Sequence, residues 1–247
     1  MDNPLKKVLN SFFSKKSPSV LGIDIGSSSI KLVQLKKKGG KAVLETYGEI
    51  SLGPYAGFEI GRSTNLNADK ISEALNDLIS ESNVTTNSCG VSIPVSSSLI
   101  TFIKLPQTAE KQLQTVIPME ARKYIPVPIS EVSLNWWVVP EEREALSEFK
   151  GSEGENQDQG INVFLAVIHN DAIERNTKIV KALSLESSFF EIELFSSVRS
   201  SLDQSLQPQM VFDMGASSTK LYIVERGIVR NSHVINRGSQ DITMSAS

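Results

Sequence analysis

The chain has 247 residues and a formal net charge of −3, with a pI near 5.6. It therefore carries no broad basic field, and direct nucleic-acid binding has no support beyond local lysine clusters. The length suits two subdomains as well as one domain, no apolar run of about 18 residues crosses a bilayer, and a lone Cys89 with no secretory signal pattern fits a reducing cytoplasm.

At the start, Leu5, Val8, Leu9, Phe12 and Phe13 recur at helical spacing, with Lys6, Lys7, Lys15 and Lys16 mostly off that stripe. The pattern predicts an amphipathic helix that lies on anionic lipid or docks on its own domain or a partner, followed by a linker from Ser14 to Ser19. Strands are predicted at Val20 to Ile25, Ile30 to Leu35 and Ala42 to Leu52, with Lys36 to Lys41 as a solvated turn. Gly53 to Asn67 reads as a loop, Ala68 to Ser80 as a helix burying Ile71, Leu75, Leu78 and Ile79, and Cys89 to Pro94 as a strand. Leu99 to Leu105 is a further strand. Thr108 is expected to cap a helix whose Leu113, Val116, Ile117, Ala121 and Tyr124 share a face, kinked or restarted at Pro118 and stopped by Pro126 and Pro128. Val132 to Val139 is a strand in which Trp136 and Trp137 must point to opposite sides. The acidic, Gly- and Ser-rich stretch 141–160 reads as a disordered loop. Beyond it come a strand (Ile161 to Ile168), a helix capped by Asn170, a strand (Ser187 to Glu193), two strands flanking Gly215, a strand from Gly227 to Ile235 and a helix starting at Gln240.

Two stretches repeat: Asp24-Ile-Gly-Ser-Ser-Ser-Ile-Lys-Leu32 and Asp213-Met-Gly-Ala-Ser-Ser-Thr-Lys-Leu221, identical at six of nine positions. Each reads as a hairpin with a small-residue turn, and an ordinary tight corner would account for one copy alone. Two copies that agree also in the lysine point to a shared phosphate clamp. Gly26 and Gly215 would let the backbone approach an anion, while Ser27, Ser28, Ser29, Ser217 and Ser218 offer N–H and hydroxyl donors. Asp24 and Asp213 would repel phosphate directly, so their expected role is to hold, through water, the Mg2+ that travels with a nucleotide. Lys31 and Lys220 either add charge near the phosphates or stand in solvent. The two histidines, His169 and His233, have no partner at metal-ligand spacing, so no metal bound directly by the protein is expected. Glu110, Glu120 and Glu131 have no partner suited to acid–base work.

The doublet resembles the two phosphate motifs of the actin, sugar-kinase and 70-kDa chaperone superfamily. Between them, Val91-Ser-Ile-Pro94, Phe102-Ile-Lys-Leu-Pro106 and Ile117-Pro-Met-Glu-Ala-Arg-Lys-Tyr-Ile-Pro126 resemble the PilM family of type IV pilus assembly proteins, relatives of the cell-division protein FtsA. The resemblance implies a mixed α/β fold of actin-like, ribonuclease H-like sheets with a small inserted α+β subdomain. It divides the chain into a helix and linker (1–18), the first subdomain (19–96), the insert (97–140), a flexible acidic loop (141–160), a return to the first subdomain (161–185), a connecting segment (186–206) and the start of an incomplete second domain (207–247). The adenine-binding wall of the superfamily lies in later segments, so the resemblance implies ATP and Mg2+ as cofactors at a site that retains the phosphate half. Glu193, in Glu193-Leu-Phe-Ser-Ser-Val-Arg199, resembles the acidic residue of the first connecting motif, or else is a helix N-terminal carboxylate. The implied function is a cytoplasmic scaffold peripheral to the inner membrane, at most a weak ATPase. It would hold the N-terminal tail of a PilN-like membrane protein in a groove beside the insert, with Tyr124, Trp136 and Trp137 as contacts, and self-association is open. An FtsA-like filament protein anchored by its first helix, or a sugar- or acetate-kinase-type phosphotransferase, are the alternatives.

Overall fold

The computed structural model describes residues 19–107, 112–139, 160–203, 205 and 207–246. The expected first helix, the Thr108 cap and nearly all of the acidic loop fall outside these residues. The chain divides into two units, one formed by residues 1–96 and 171–247, the other by 97–170.

The first unit carries two sheets. Its larger one has the order β3-β2-β1-β4-β8, built from β1 (Ser19–Ile25), β2 (Ser29–Lys38), β3 (Lys41–Ser51), β4 (Ser88–Ile93) and β8 (Glu186–Ile192). β1, β2 and β3 run antiparallel, whereas β4 runs parallel to both β1 and β8. Parallel neighbours need crossovers, and α1 (Ala68–Glu81), between β3 and β4, supplies one of them. The side chain of Asn67 accepts from the Lys70 N–H to start α1. Ile71, Leu75 and Leu78 then fall on one face, meeting Leu21, Ile23, Ile30, Leu32 and Val91 of the sheet and Ile179 and Val180 of α3 (Asn170–Ala182) in a single core. Each such aliphatic side chain contributes about 1.5–3 kcal/mol when wholly buried. Cys89 lies in the same core, where burial pushes its thiol up to about 12 and leaves it inert.

The lysine-rich stretch is strand rather than turn. Lys36, Lys37 and Lys38 continue β2 opposite Val43, Ala42 and Lys41, and only Gly39 and Gly40, both at positive φ, make the corner. Exposed ladder positions tolerate lysine, so charge alone did not mark the strand's end.

The smaller sheet has the order β11-β10-β9, all antiparallel, with β9 (Gln209–Met214), β10 (Thr219–Glu225) and β11 (Ile228–Ile235). Tyr222, Val224 and Val229 are buried on it, whereas Met210, Phe212 and Met214 are exposed. α4 (Glu193–Ser201) precedes this sheet and α5 (Ser239–Ala246) follows it.

The second unit is one sheet, β5-β7-β6, made by β5 (Ser98–Pro106), β6 (Val132–Val139) and β7 (Gly160–His169), with α2 (Leu113–Ala121). β7, expected to return to the first subdomain, is instead the middle strand of this sheet, paired antiparallel with both β5 and β6. Its apolar run Val163-Phe-Leu-Ala-Val167 is almost wholly buried, as a central strand covered on both faces requires. α2 passes through Pro118 and ends at Ala121, short of Pro126, so Tyr124 lies beyond the helix and is 47% exposed. Ile117 and Ala121 of α2 pack on Ile103, Leu105, Val163 and Leu165.

Candidate functional site

Both repeats fold as expected, and they fold alike. In each, the aspartate stands opposite the lysine in the ladder: Asp24 against Lys31 and Asp213 against Lys220. In each, the glycine N–H donates to the carbonyl of the last serine, Gly26 to Ser29 at 3.0 Å and Gly215 to Ser218 at 2.9 Å. A Cβ on either glycine would stand only 3.0–3.1 Å from that carbonyl oxygen, so the tight corner favours glycine at both places. No backbone acceptor is found among the described residues for the N–H groups of Ser27, Ser28, Ala216 and Ser217. These are the donors that a phosphate-cradling turn needs.

The two corners meet within the first unit. The Ser217 hydroxyl donates to the Ser27 hydroxyl at 3.0 Å, although the residues are 190 positions apart. Thr64 donates to the Ser27 carbonyl through both its N–H, at 2.8 Å, and its hydroxyl, at 3.1 Å. Next to it, the Ser63 N–H donates to Gln240 Oε1 of α5 at 2.6 Å. α5 in turn is anchored on the second corner, because its first donors, Ser239 N–H and Gln240 N–H, bond the Gly215 and Ala216 carbonyls. Asp241 closes the arrangement by accepting from the Gly238 N–H and pairing with Arg237 at 2.7 Å; that backbone bond first, then Arg237, holds its carboxyl below the usual range. With the Ser27 and Ser217 hydroxyls this close, a phosphate enters between the corners only after the side chains rotate apart.

The lysines part company. Lys31 is more than half exposed and bonds Ser29 and Glu49 at 3.0 and 3.3 Å. Lys220 is held in the interior, its ammonium 2.6 Å from Glu193 Oε2 and 3.5 Å from Asp213 Oδ2, with the Lys220 and Glu193 side chains only 15% and 16% exposed. Burial acts to lower the Lys220 pKa, but the hydrogen bond and charge of Glu193, then the charges of Asp213 and Asp24, outweigh it and hold the ammonium above its ordinary range. Glu193 begins α4, and its other oxygen accepts from the Val95 N–H at 2.8 Å. One carboxylate thus ties the end of β4 to β10. Asp24 accepts from the Ser92 hydroxyl at 2.5 Å.

Two carboxylates, Glu193 and Asp213, therefore share one buried ammonium, and the charge of Asp24 adds to theirs. Such a site repels a bare polyphosphate and suits one that brings its own divalent cation, while the glycine corners and free N–H groups suit the phosphate itself. The residues present fit magnesium-bound phosphate, for which Asp24 and Asp213 would be the carboxylates facing the ion. Among the described residues, no group of three or more His, Cys, Asp or Glu side chains is arranged to bind a metal ion by itself.

Of the expected partner contacts, Trp136 and Trp137 lie on opposite faces of β6. Trp136 packs into the core of the second unit, on the face that α2 covers. Trp137, on the opposite face, stacks on Phe164 with ring centroids 4.4 Å apart, and Phe102 meets Phe164 edge-on at 4.9 Å. Tyr124 is exposed, as is Met119, at 63%.

Sequence reasoning missed several participants in the clamp. Val95 and Gly238 act through backbone groups, which no side-chain pattern announces. Gln240 reaches a loop far away in sequence. Tyr222 alone left a signal, since alternation puts it on the Lys220 face of β10.

The sequence model of the family described as "Type IV pilus assembly protein PilM" matches residues 22–243. Among solved structures, a PilM–PilN type IV pilus biogenesis complex is similar at 21% identity and a TM-score of 0.68, over 92% of this chain and 64% of that one. This chain thus spans less than two thirds of that relative's length. The cytoplasmic domain of EpsL, an inner-membrane component of the type II secretion system of Vibrio cholerae, is similar at 12% identity and a TM-score of 0.55, over 93% and 75% of the two chains. Both likenesses are of fold, which is actin-like. Among the described residues, no helix is long and apolar enough to cross a membrane.

Proposed function

Because this chain belongs to the PilM family of type IV pilus assembly proteins, we propose that it is a cytoplasmic scaffold of a pilus machine, peripheral to the inner membrane, that binds the N-terminal tail of a PilN-like membrane protein. The observation that carries this reading is the family match over residues 22–243, which includes the Ile117–Pro126 segment that sugar kinases and chaperones lack. The relative solved as a PilM–PilN complex supports the choice of partner. The tail docks on the exposed side of the insert, where Met119 and Tyr124 stand in solvent with no core role, the kind of aromatic and thioether anchor that an apolar peptide segment uses. Trp136 is left out of the contact, because it is partly buried and packs against the core of the insert. In calorimetry with a synthetic tail peptide, Tyr124→Ala weakens binding by about tenfold, whereas a tail that binds the variant as tightly as the wild type rules this docking side out.

The facing corners bind the phosphates of Mg-ATP, with Gly26, Ser27, Ser28 and Ser29 on one side and Gly215, Ser217 and Ser218 on the other. Magnesium supplies positive charge against the phosphates when bound, and the chain's own part is to orient them by N–H and hydroxyl donors. Glu193, with one oxygen on the Val95 N–H and the other on Lys220, serves as a tie across the clamp in preference to a base. Asp24→Ala and Asp213→Ala each weaken Mg-ATP by about tenfold or more in calorimetric titration, since each loses a carboxylate that steadies the ion. Equal affinity in wild type and both variants removes the nucleotide from the reading and leaves the scaffold role standing.

A further inference from the structure

Tyr222 is wholly buried, and among the described residues its hydroxyl is the one buried side-chain polar atom without a hydrogen-bond partner. A donor left bare in the interior costs stability, so its position matters. It follows Lys220 by two residues on β10, and side chains two apart leave a strand on the same face. That is the face on which Asp213 stands opposite Lys220. Burial first, then the charges of Glu193 and Asp213, push the phenol's pKa up, so it keeps its proton and remains a donor at any ordinary pH. Both of those carboxylates are already engaged by the Lys220 ammonium. A protonated phenol with no acceptor thus shares a strand face with an ammonium that two carboxylates hold between them.

We propose that Tyr222 is a positioning residue for the phosphate site: when a bound phosphate draws the Lys220 ammonium away from Glu193, the Tyr222 hydroxyl donates to the carboxylate left behind and keeps it from standing bare in the interior. The proposal rests on the phosphate reading of the twin corners. It needs no proton transfer, only the exchange of one hydrogen-bond donor for another. It also gives Lys220 freedom to turn, because the carboxylate it leaves is satisfied by a group already in place.

A double-mutant cycle tests this without any ligand, since Lys220→Met imitates the departure of the ammonium. In the wild-type background Tyr222→Phe leaves the urea midpoint unchanged or raises it, because it removes a donor that bonds nothing. In the Lys220→Met background the same change lowers the midpoint by on the order of 0.3 M or more. A phenol that serves packing alone shifts both backgrounds equally, and equal shifts overturn the proposal. Should Lys220→Met fail to fold, Lys220→Gln, whose neutral amide holds Glu193 more weakly, carries the same cycle. In a second arm, Tyr222→Phe weakens Mg-ATP by about tenfold in calorimetry, the loss of one bond to a charged group. Coupling in the cycle with no Mg-ATP binding by the wild type discards the phosphate reading but keeps the reserve donor. Mg-ATP binding by the wild type with an additive cycle does the reverse.

Discussion

Glu193→Ala lowers the stability of the protein by about 3 kcal/mol, read as a fall in the urea midpoint. Removing one partner from a largely buried pair leaves the other charge uncompensated, at a cost of about 3–5 kcal/mol where burial is complete. Here both side chains keep about a sixth of their surface in solvent, and Asp213 still faces the ammonium at 3.5 Å, which moderates the loss. The same substitution strips the Val95 N–H of its acceptor, which adds to it. Glu193→Gln retains an oxygen for Val95 and costs less. A loss below about 1 kcal/mol for the alanine variant, the range of exposed ion pairs, refutes the idea that this contact ties the two sheets. The pH dependence has a definite sign. Because the ammonium's pKa is raised on folding, its stabilisation is fully present below the ordinary lysine value of 10.5 and fades as the pH rises through the higher folded value.

Gly238→Ala disables the second corner. A Cβ at this position would run into the carbonyls of Ala216 and Gly215, which are backbone and cannot swing aside as a flexible side chain would. Those same carbonyls accept from the first N–H groups of α5, so displacing them loosens the helix and the turn together. Overpacking of this kind costs about 1–3 kcal/mol, and the corner that moves is the one carrying the Ser217 hydroxyl. Mg-ATP affinity in calorimetry falls by more than about tenfold, while binding of the tail peptide, which we propose to use the other unit, is unchanged. Wild-type nucleotide affinity in Gly238→Ala refutes the account of how the corner is held.

Much of the fold was legible because its strongest signals are local. The hairpin around Gly26 and its twin around Gly215 are bounded by apolar strands, and α1 carries a stripe that only a helix makes continuous. Errors came where local sequence was silent about partners. Nothing in the apolar run of β7 says which sheet it joins, since a central strand reads the same in either. Pro126 and Pro128 were expected to stop α2, yet it ends earlier, at Ala121, with Pro118 inside it. At the site, the residue types and their pairing were readable from the repeat, but the fates of the two lysines were not. Burial of Lys220 depends on Glu193, which arrives from another strand's end and is invisible to spacing.

That divergence bears on how such a chain is free to vary. Lys31 stands in solvent, and glutamine or arginine there would alter little beyond a surface pair. Lys220 is locked to Glu193, so a neutral residue at 220 removes that carboxylate's cation unless 193 changes in the same step. Of two corners that read alike, one keeps latitude at its lysine and the other has a paired dependence. Drift through a population of these sequences should run freely at the first and move in tandem at the second.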